Sequence, residues 1–381
     1  MAKGSSLDSS TLASRRRLHF LLGIVVVIAI VIFSRTGKNE EPLSMQDATR
    51  FSSEPSCNLF EGKWVYDNEA YPLYKEKDCS FMAEELASML QRLRNKRIVF
   101  VGDSLNKGQW ISMICLIESS IPKELKSMQY DGSLFTFRAS EYNASVQFYW
   151  APLLVESNAD NPMNYSLSER IVKVKAIEKH ATHWTDADIL VFNSYLWWRM
   201  PYMKVLWGSF ESGADGIYKE VEVPRSYEMA LNTWSNWLEF HINRTKTQLL
   251  WVSMSPTHEA GEDWGLPGGQ NCYKETEPIM EEGFQGRGSR TDMMRAVEAT
   301  IAELKGRGLN IQFLNITQLS EYRKDAHPAF YREFKPPLTQ LQLSNPRLNA
   351  DCYHWCLPGV PDTWNELLYA YILSFSNFNE Q

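Results

Sequence analysis

Residues 97 to 110, RIVFVGDSLNKGQW, constrain the fold more than any other stretch of the chain. Ile98, Val99, Phe100 and Val101 form an apolar run that reads as a buried strand, and Gly102-Asp103-Ser104 ends it abruptly before a segment with helical character. A buried strand feeding straight into a helix is the unit from which open α/β sheets are built, and its carboxyl end is where such sheets hold ligands and nucleophiles. Ser104 stands at that junction. Taken alone, the same serine would serve equally well as a cap for the helix that follows.

The rest of the chain repeats the alternation. A helix is expected near 105–118, strands near 145–154 and 188–193, and a long amphipathic helix near 224–242. A strand at 248–254, a helix at 291–306, a strand at 309–314 and a final helix near 362–375 follow. This pattern predicts an α/β fold with a mostly parallel sheet covered by helices on both faces. Three stretches rich in Gly, Pro and aromatic residues, at 119–143, 196–222 and 255–290, read as functional loops over the carboxyl edge of the sheet.

Topology is written near the amino terminus. Leu18 to Phe33 carries no charge, and Arg15, Arg16 and Arg17 precede it, which predicts a retained signal anchor with a cytosolic tail at 1–17. A cleaved signal peptide is the rival reading, but no small-x-small site follows the run, whose next residues are Ser34-Arg35-Thr36-Gly37-Lys38. Residues 34–56 are polar and read as a stem, which leaves 57–381 as a luminal domain in a single-pass type II arrangement. Two further features agree with a luminal location. Four N-glycosylation sequons begin at Asn143, Asn164, Asn243 and Asn315, and all six cysteines, Cys57, Cys79, Cys115, Cys272, Cys352 and Cys356, follow the anchor. With 39 basic against 46 acidic residues the net charge is −7, which gives no general case for binding nucleic acid.

A serine hydroxyl needs a base within hydrogen-bond reach, itself held by a third group. Of the seven histidines, His19 lies in the anchor, and His180, His183 and His241 sit in contexts that suit solvent-facing or capping roles. His258 follows a strand and is a candidate substrate contact. Two histidines have an aspartate close by, in Asp325-Ala-His327-Pro and in Asp351-Cys-Tyr-His354-Trp-Cys356. The i to i+3 spacing of the second can place carboxylate and imidazole on one side of a turn, fixing the tautomer while the other ring nitrogen faces a nucleophile. The first pair reads as a turn brace. A zinc site of Cys352, His354 and Cys356 is the structural rival; it lacks the usual paired CxxC arrangement, and no metal is expected.

The motifs GDS at 102–104, FN at 192–193 and DCYHWCLPGVPDTWNELLY at 351–369 resemble the trichome-birefringence-like (PC-esterase) family of plant wall polysaccharide O-acetyltransferases, relatives of the GDSL/SGNH esterases. The likeness covers nearly everything from Cys57 onward. The segments CNLFEGKWVYDN, YPLYKEKDC and SLNKGQW are similar to the members that acetylate xylan. The resemblance implies an SGNH-like fold with Ser104 as nucleophile, His354 as general base and Asp351 as its orienting carboxylate. It further implies the Asn193 amide and the Ser104 backbone N–H as oxyanion donors, with Gly102 and Asp103 positioning the nucleophile turn. The implied reaction is double displacement through an acetyl-serine. It takes acetyl-CoA or another acetyl carrier as co-substrate, needs no tightly bound cofactor, and uses xylan or a related hemicellulose as acceptor. The implied setting is the Golgi membrane, alongside other proteins of the acetylation pathway. Trp110, Trp197, Trp198 and Trp355 are candidate stacking faces for sugar rings.

The chain departs from the family in three places. Members carry an additional segment between the position of Cys79 and the GDS strand, with a Trp-Arg-Trp-like motif and two more cysteines, whereas here Cys79 runs through FMAEELASMLQRLRNKR into the strand. The family pairings leave Cys79 with Cys115 and Cys272 with Cys352, and the state of Cys57 and Cys356 open. Lys107 stands where the family has Arg, a point charge in place of a forked donor. These departures keep two alternatives in view, a polysaccharide acetyl-esterase and a non-catalytic wall-polysaccharide-binding protein.

Overall fold

The computed structural model describes residues 58–60, 62–74, 89–118, 120–163, 169–211, 216–332 and 337–376. The anchor expected at 18–33, the boundaries drawn at 17, 33 and 56, and residues Cys57, Cys79 and Asn164 lie outside them. Among the described residues no helix is long and apolar enough to cross a membrane.

The strands are β1 (Arg97–Gly102), β2 (Lys126–Asp131), β3 (Leu134–Ala139), β4 (Ala144–Trp150), β5 (Ile171–Val172), β6 (Ile189–Asn193), β7 (Tyr202–Trp207), β8 (Ile217–Glu222), β9 (Gln248–Val252) and β10 (Gln312–Leu314). The helices are α1 (Ser104–Glu118), α2 (Glu178–Ala181), α3 (Val223–His241), α4 (Thr291–Gly306), α5 (Thr317–Glu321), α6 (Gln340–Ser344) and α7 (Val360–Ser376). Seven strands form the main sheet in the order β10-β9-β6-β1-β4-β3-β2. Pairing is parallel from β10 through β4 and antiparallel across β4-β3-β2. β1 therefore lies between β4 and β6, and the chain runs first to one side of it and then to the other. Its carboxyl end is the topological switch point of the sheet, where the diverging connections leave a crevice. Ser104 emerges there as the first residue of α1.

Both faces of the sheet are covered. Phe148, in register with Phe100, packs against Trp110 of α1, while Phe192, in register with Val101, packs against Trp234 of α3. Phe100 and Val101 point to opposite sides of the pleat, so α1 and α3 lie on opposite faces. α7 packs on α1 and α4 on α3. Ile98 through Val101 are accordingly fully buried. Apolar burial on this scale is the main stabilising contribution to the fold, at about 25 cal/mol per Å².

Two of the three stretches read as loops contain strands. Within 119–143, β2 and β3 form a hairpin joined by Gly132 and Ser133, with Gly132 at φ +56°. The hairpin was not apparent because β2 is an exposed edge strand, KSMQYD, without apolar alternation; the Asp131-Gly132 dipeptide was its one local signal. Within 196–222, β7 and β8 pair and join β5 in a second, three-stranded sheet. The stretch 255–290 carries no strand, only a 3₁₀ turn at Gly261–Trp264. His180 departs from its expected surface role: it is fully buried, with Nε2 2.8 Å from Asp160 and Nδ1 facing the Leu154 carbonyl. Asn143 and Asn243 are exposed and Asn315 is half-buried.

Candidate active site

Glycine is required where β1 ends. A Cβ on Gly102 would come within 2.1 Å of the Asn193 carbonyl oxygen on β6, so a side chain here would force the two strands apart. Asp103 follows and is fully buried. Its carboxylate accepts the Leu105 N–H at 2.9 Å and, from the loop beyond β6, the Leu196 N–H at 3.1 Å. Burial pushes the Asp103 carboxyl above its ordinary value, against the pull of those backbone donors. Asp103 thus ties the nucleophile turn to the neighbouring strand's exit and stands apart from the proton path. Ser104 comes next, half-buried at the mouth of the crevice.

The second component arrives 250 residues later in the chain. Between Ala350 and Cys356 the chain makes a tight turn in which Asp351 Oδ1 accepts the backbone N–H of His354 at 3.0 Å and of Tyr353 at 3.3 Å. The other oxygen, Oδ2, lies 2.8 Å from His354 Nδ1. A carboxylate oxygen accepts, so Nδ1 carries the hydrogen and Nε2 presents its lone pair. His354 Nε2 lies 2.7 Å from Ser104 Oγ. The structure therefore brings Ser104, His354 and Asp351 into one hydrogen-bonded line. Burial alone would push the Asp351 carboxyl up, but the His354 side chain and backbone N–H, together with the Arg332 guanidinium, outweigh it and hold the group well below the usual carboxylate range.

The turn is held from several sides. Cys352 is disulfide-bonded to Cys272, with the Cα atoms 5.6 Å apart. That bond removes Cys352 from the alternative zinc site, and no cluster of metal-ligating side chains occurs among the described residues. Asp351 and Ala329 exchange backbone hydrogen bonds at 2.8 and 3.1 Å. Trp355 Nε1 donates to Ser255 Oγ at 2.7 Å. Cys356 is exposed, and Cys115 is disulfide-bonded, its expected partner Cys79 lying outside the described residues.

Three expectations need correction. The Asn193 amide does not face the nucleophile: Nδ2 donates to the Val252 and Ser253 carbonyls, each at 3.1 Å, so both its hydrogens link β6 to the end of β9. Trp110, Trp197, Trp198 and Trp355 are all buried and serve as core, offering no face to a sugar. His258 is also buried, 1% exposed, beyond the reach of a substrate in the crevice. In the loop read as a turn brace, Asp325 is bound by Arg323 at 2.9 Å, while the His327 ring turns to the His354 carbonyl. Lys107 is half-buried with Nζ 4.6 Å from the centre of the Phe135 ring, and burial lowers its pKa. Arg332, which touches Asp351 Oδ2, was missed altogether. It occupies an exposed turn with no periodic signal; its approach to Asp351 comes from the pairing of Ala329 with Asp351.

Residues 84–371 match the GDSL/SGNH-like acyl-esterase family found in Pmr5 and Cas1p, termed PC-esterase, and residues 55–98 match the PMR5 N-terminal domain. The chain is 51% identical to protein trichome birefringence-like 34 of Arabidopsis thaliana, across 95% of this chain and 97% of that one. That alignment runs over 398 positions, more than the 381 residues of the chain, so the relative carries residues that this chain lacks. Similarity extends to xylan O-acetyltransferase 14 of Oryza sativa subsp. japonica, 47% identical across 84% of this chain and 77% of the relative. Protein trichome birefringence-like 35 of Arabidopsis thaliana is 45% identical across 84% and 76% respectively.

Proposed function

From the premise that the chain belongs to the PC-esterase family of GDSL/SGNH-like acyl-esterases, we propose that it is an O-acetyltransferase that esterifies hydroxyls of a cell-wall polysaccharide, with the xylan backbone as acceptor. One observation carries this reading: the line from Ser104 Oγ to His354 Nε2 at 2.7 Å and from His354 Nδ1 to Asp351 at 2.8 Å, at the switch point of the sheet. Relatives named for xylan O-acetylation support the acceptor.

The reaction runs as two displacements. Ser104 Oγ attacks the acetyl carbonyl of the donor, acetyl-CoA or another acetyl carrier, while its proton passes to His354 Nε2. The imidazolium is stabilised by Asp351 and returns the proton to the leaving group. A sugar hydroxyl then gives its proton to His354 and attacks the acetyl-serine; as the acetyl–Oγ bond breaks, His354 returns that proton to Ser104 Oγ. The Ser104 backbone N–H, at the amino end of α1, is the donor proposed for both tetrahedral oxyanions, worth about 3 kcal/mol. An esterase would differ only in admitting water to the second step, so exclusion of water from the crevice sets the outcome. We place the reaction in the Golgi lumen, with residues 18–33 as anchor.

Mass spectrometry tests the first half-reaction. The chain incubated with an acetyl donor should gain one acetyl group on the peptide containing Ser104 and lose it to added xylo-oligosaccharide. No adduct on that peptide, or release of free acetate alone, overturns the proposal. Ser104→Ala should abolish both adduct and transfer.

A further inference from the structure

Behind the triad lies a pair of imidazoles that the proposed reaction does not use. His258 and His327 are both buried, with His258 Nδ1 2.7 Å from His327 Nε2. The outer nitrogens each face a backbone carbonyl: His258 Nε2 is 2.9 Å from the Glu321 oxygen, and His327 Nδ1 is 2.6 Å from the oxygen of His354 itself. His327 also stacks on Trp355, with ring centroids 4.2 Å apart. The pair is therefore a strut running from the end of α5 to the backbone of the base.

Counting protons exposes a property of this strut. A carbonyl oxygen only accepts, so each outer nitrogen must carry a hydrogen for its bond to exist. A neutral imidazole has one N–H. With both spent outward, the inner nitrogens confront each other as lone pairs at 2.7 Å. Two protons cannot serve three contacts, and a third, between the rings, completes the set. We propose that His258 and His327 are positioning residues for His354 that share this third proton, so that the strut behind the base is complete only when the pair is singly protonated. The proposal rests on the reading of His354 as general base.

The surroundings set how the proton is held. Asp325 and Lys324 lie on the loop that carries His327, Asp263 approaches from the loop after β9, and Asp351 and His354 face the pair from the catalytic turn. Burial drives each ring toward its neutral form, His258 to about 4 and His327 to about 3; the carboxylates oppose this, while Lys324 and His354 add to it. The shared proton is thus held against burial and leaves as the pH rises, taking one of the three bonds with it.

Histidine-labelled full chain provides the test by nitrogen NMR over a descending pH series. The expected result is one slowly exchanging imidazole proton coupled to nitrogens of both His258 and His327, strongest at acid pH. Absence of that coupling at every pH where the chain stays folded overturns the proposal. Kinetics supply the second arm. His258→Ala should lower kcat about tenfold with little change in KM, as expected for a base displaced slightly from its working position. His258→Asn, whose amide N–H can reach His327 Nε2 at any pH, should recover most of that loss and remove the pair's share of the fall in kcat as the pH rises through the range where the bridging proton leaves. Equal losses for Ala and Asn with an unchanged pH profile would show a purely structural part and overturn it. A chain that shows the bridging proton but transfers no acetyl group upholds the strut and sinks the reaction.

Discussion

Two loops of this molecule carry an aspartate followed closely by a histidine, and the fold uses them in opposite ways. At 351–354 the carboxylate divides its two oxygens, one capping its own turn and the other holding the imidazole, and the ring faces the crevice with 29% of its side chain exposed. At 325–327 the carboxylate is bound by Arg323 on its own loop, and the ring turns inward to the His354 carbonyl. The difference is one residue of spacing together with what each carboxylate meets first. Proximity in sequence does not make a catalytic pair; a turn that delivers both groups to one side does.

The comparison breaks most sharply at Asp351. Asp351→Asn should cut acetyl transfer about 10³–10⁴-fold while Asp325→Asn leaves kcat within about twofold, as the amide loses both the charge and the tautomer control. Comparable losses from the two substitutions, measured as kcat/KM, would dissolve the distinction. Next in size is the disulfide that fixes only the first loop: Cys272→Ser with Cys352→Ser should cost about 2–5 kcal/mol in denaturant unfolding.

Glu321 sharpens the contrast from the other side, because the loop beyond it ends at His327. Its carboxyl accepts from Ser289 at 2.6 Å and Gly286 at 3.2 Å, and burial, outweighing those donors, pushes it up to about 7. A raised folded value means that the neutral form is favoured in the native state. Its stability contribution is therefore full below the ordinary carboxylate range and lost as the pH rises through about 7. Glu321→Gln should remove about 1–3 kcal/mol of the decline in stability between pH 5 and pH 8, read from thermal melts at both pH values. An unaltered decline would mean that another group carries it. The smallest effect belongs to the Arg323–Asp325 pair, whose loss in Asp325→Asn should cost under about 1 kcal/mol of stability, since such pairs stay partly solvated.

What could be read in advance was whatever the chain decides locally. The end of β1 at Gly102, the helix starting at Ser104 and the turn joining Asp351 to His354 each lie within a few residues, and each stands where the sequence put it. Asn193 was misassigned because its position at the end of β6 is local but the direction of its amide is set by carbonyls on β9 some 60 residues away. The tryptophans failed for a similar reason, since composition does not say which face of a helix or loop meets the core. The β2–β3 hairpin escaped because an exposed edge strand has no apolar pattern to betray it.

The contact at Gly102 has a consequence for how such a chain can change. With a neighbouring carbonyl 2.1 Å from where a methyl group would go, even alanine there acts as a wedge driven between the two central strands. Because the contact is with backbone, neither strand can yield cheaply, and the nucleophile two positions further on would shift with the end of β1. Residue 102 is therefore a place where one methyl group would strike the pairing of the sheet and the aim of the hydroxyl together.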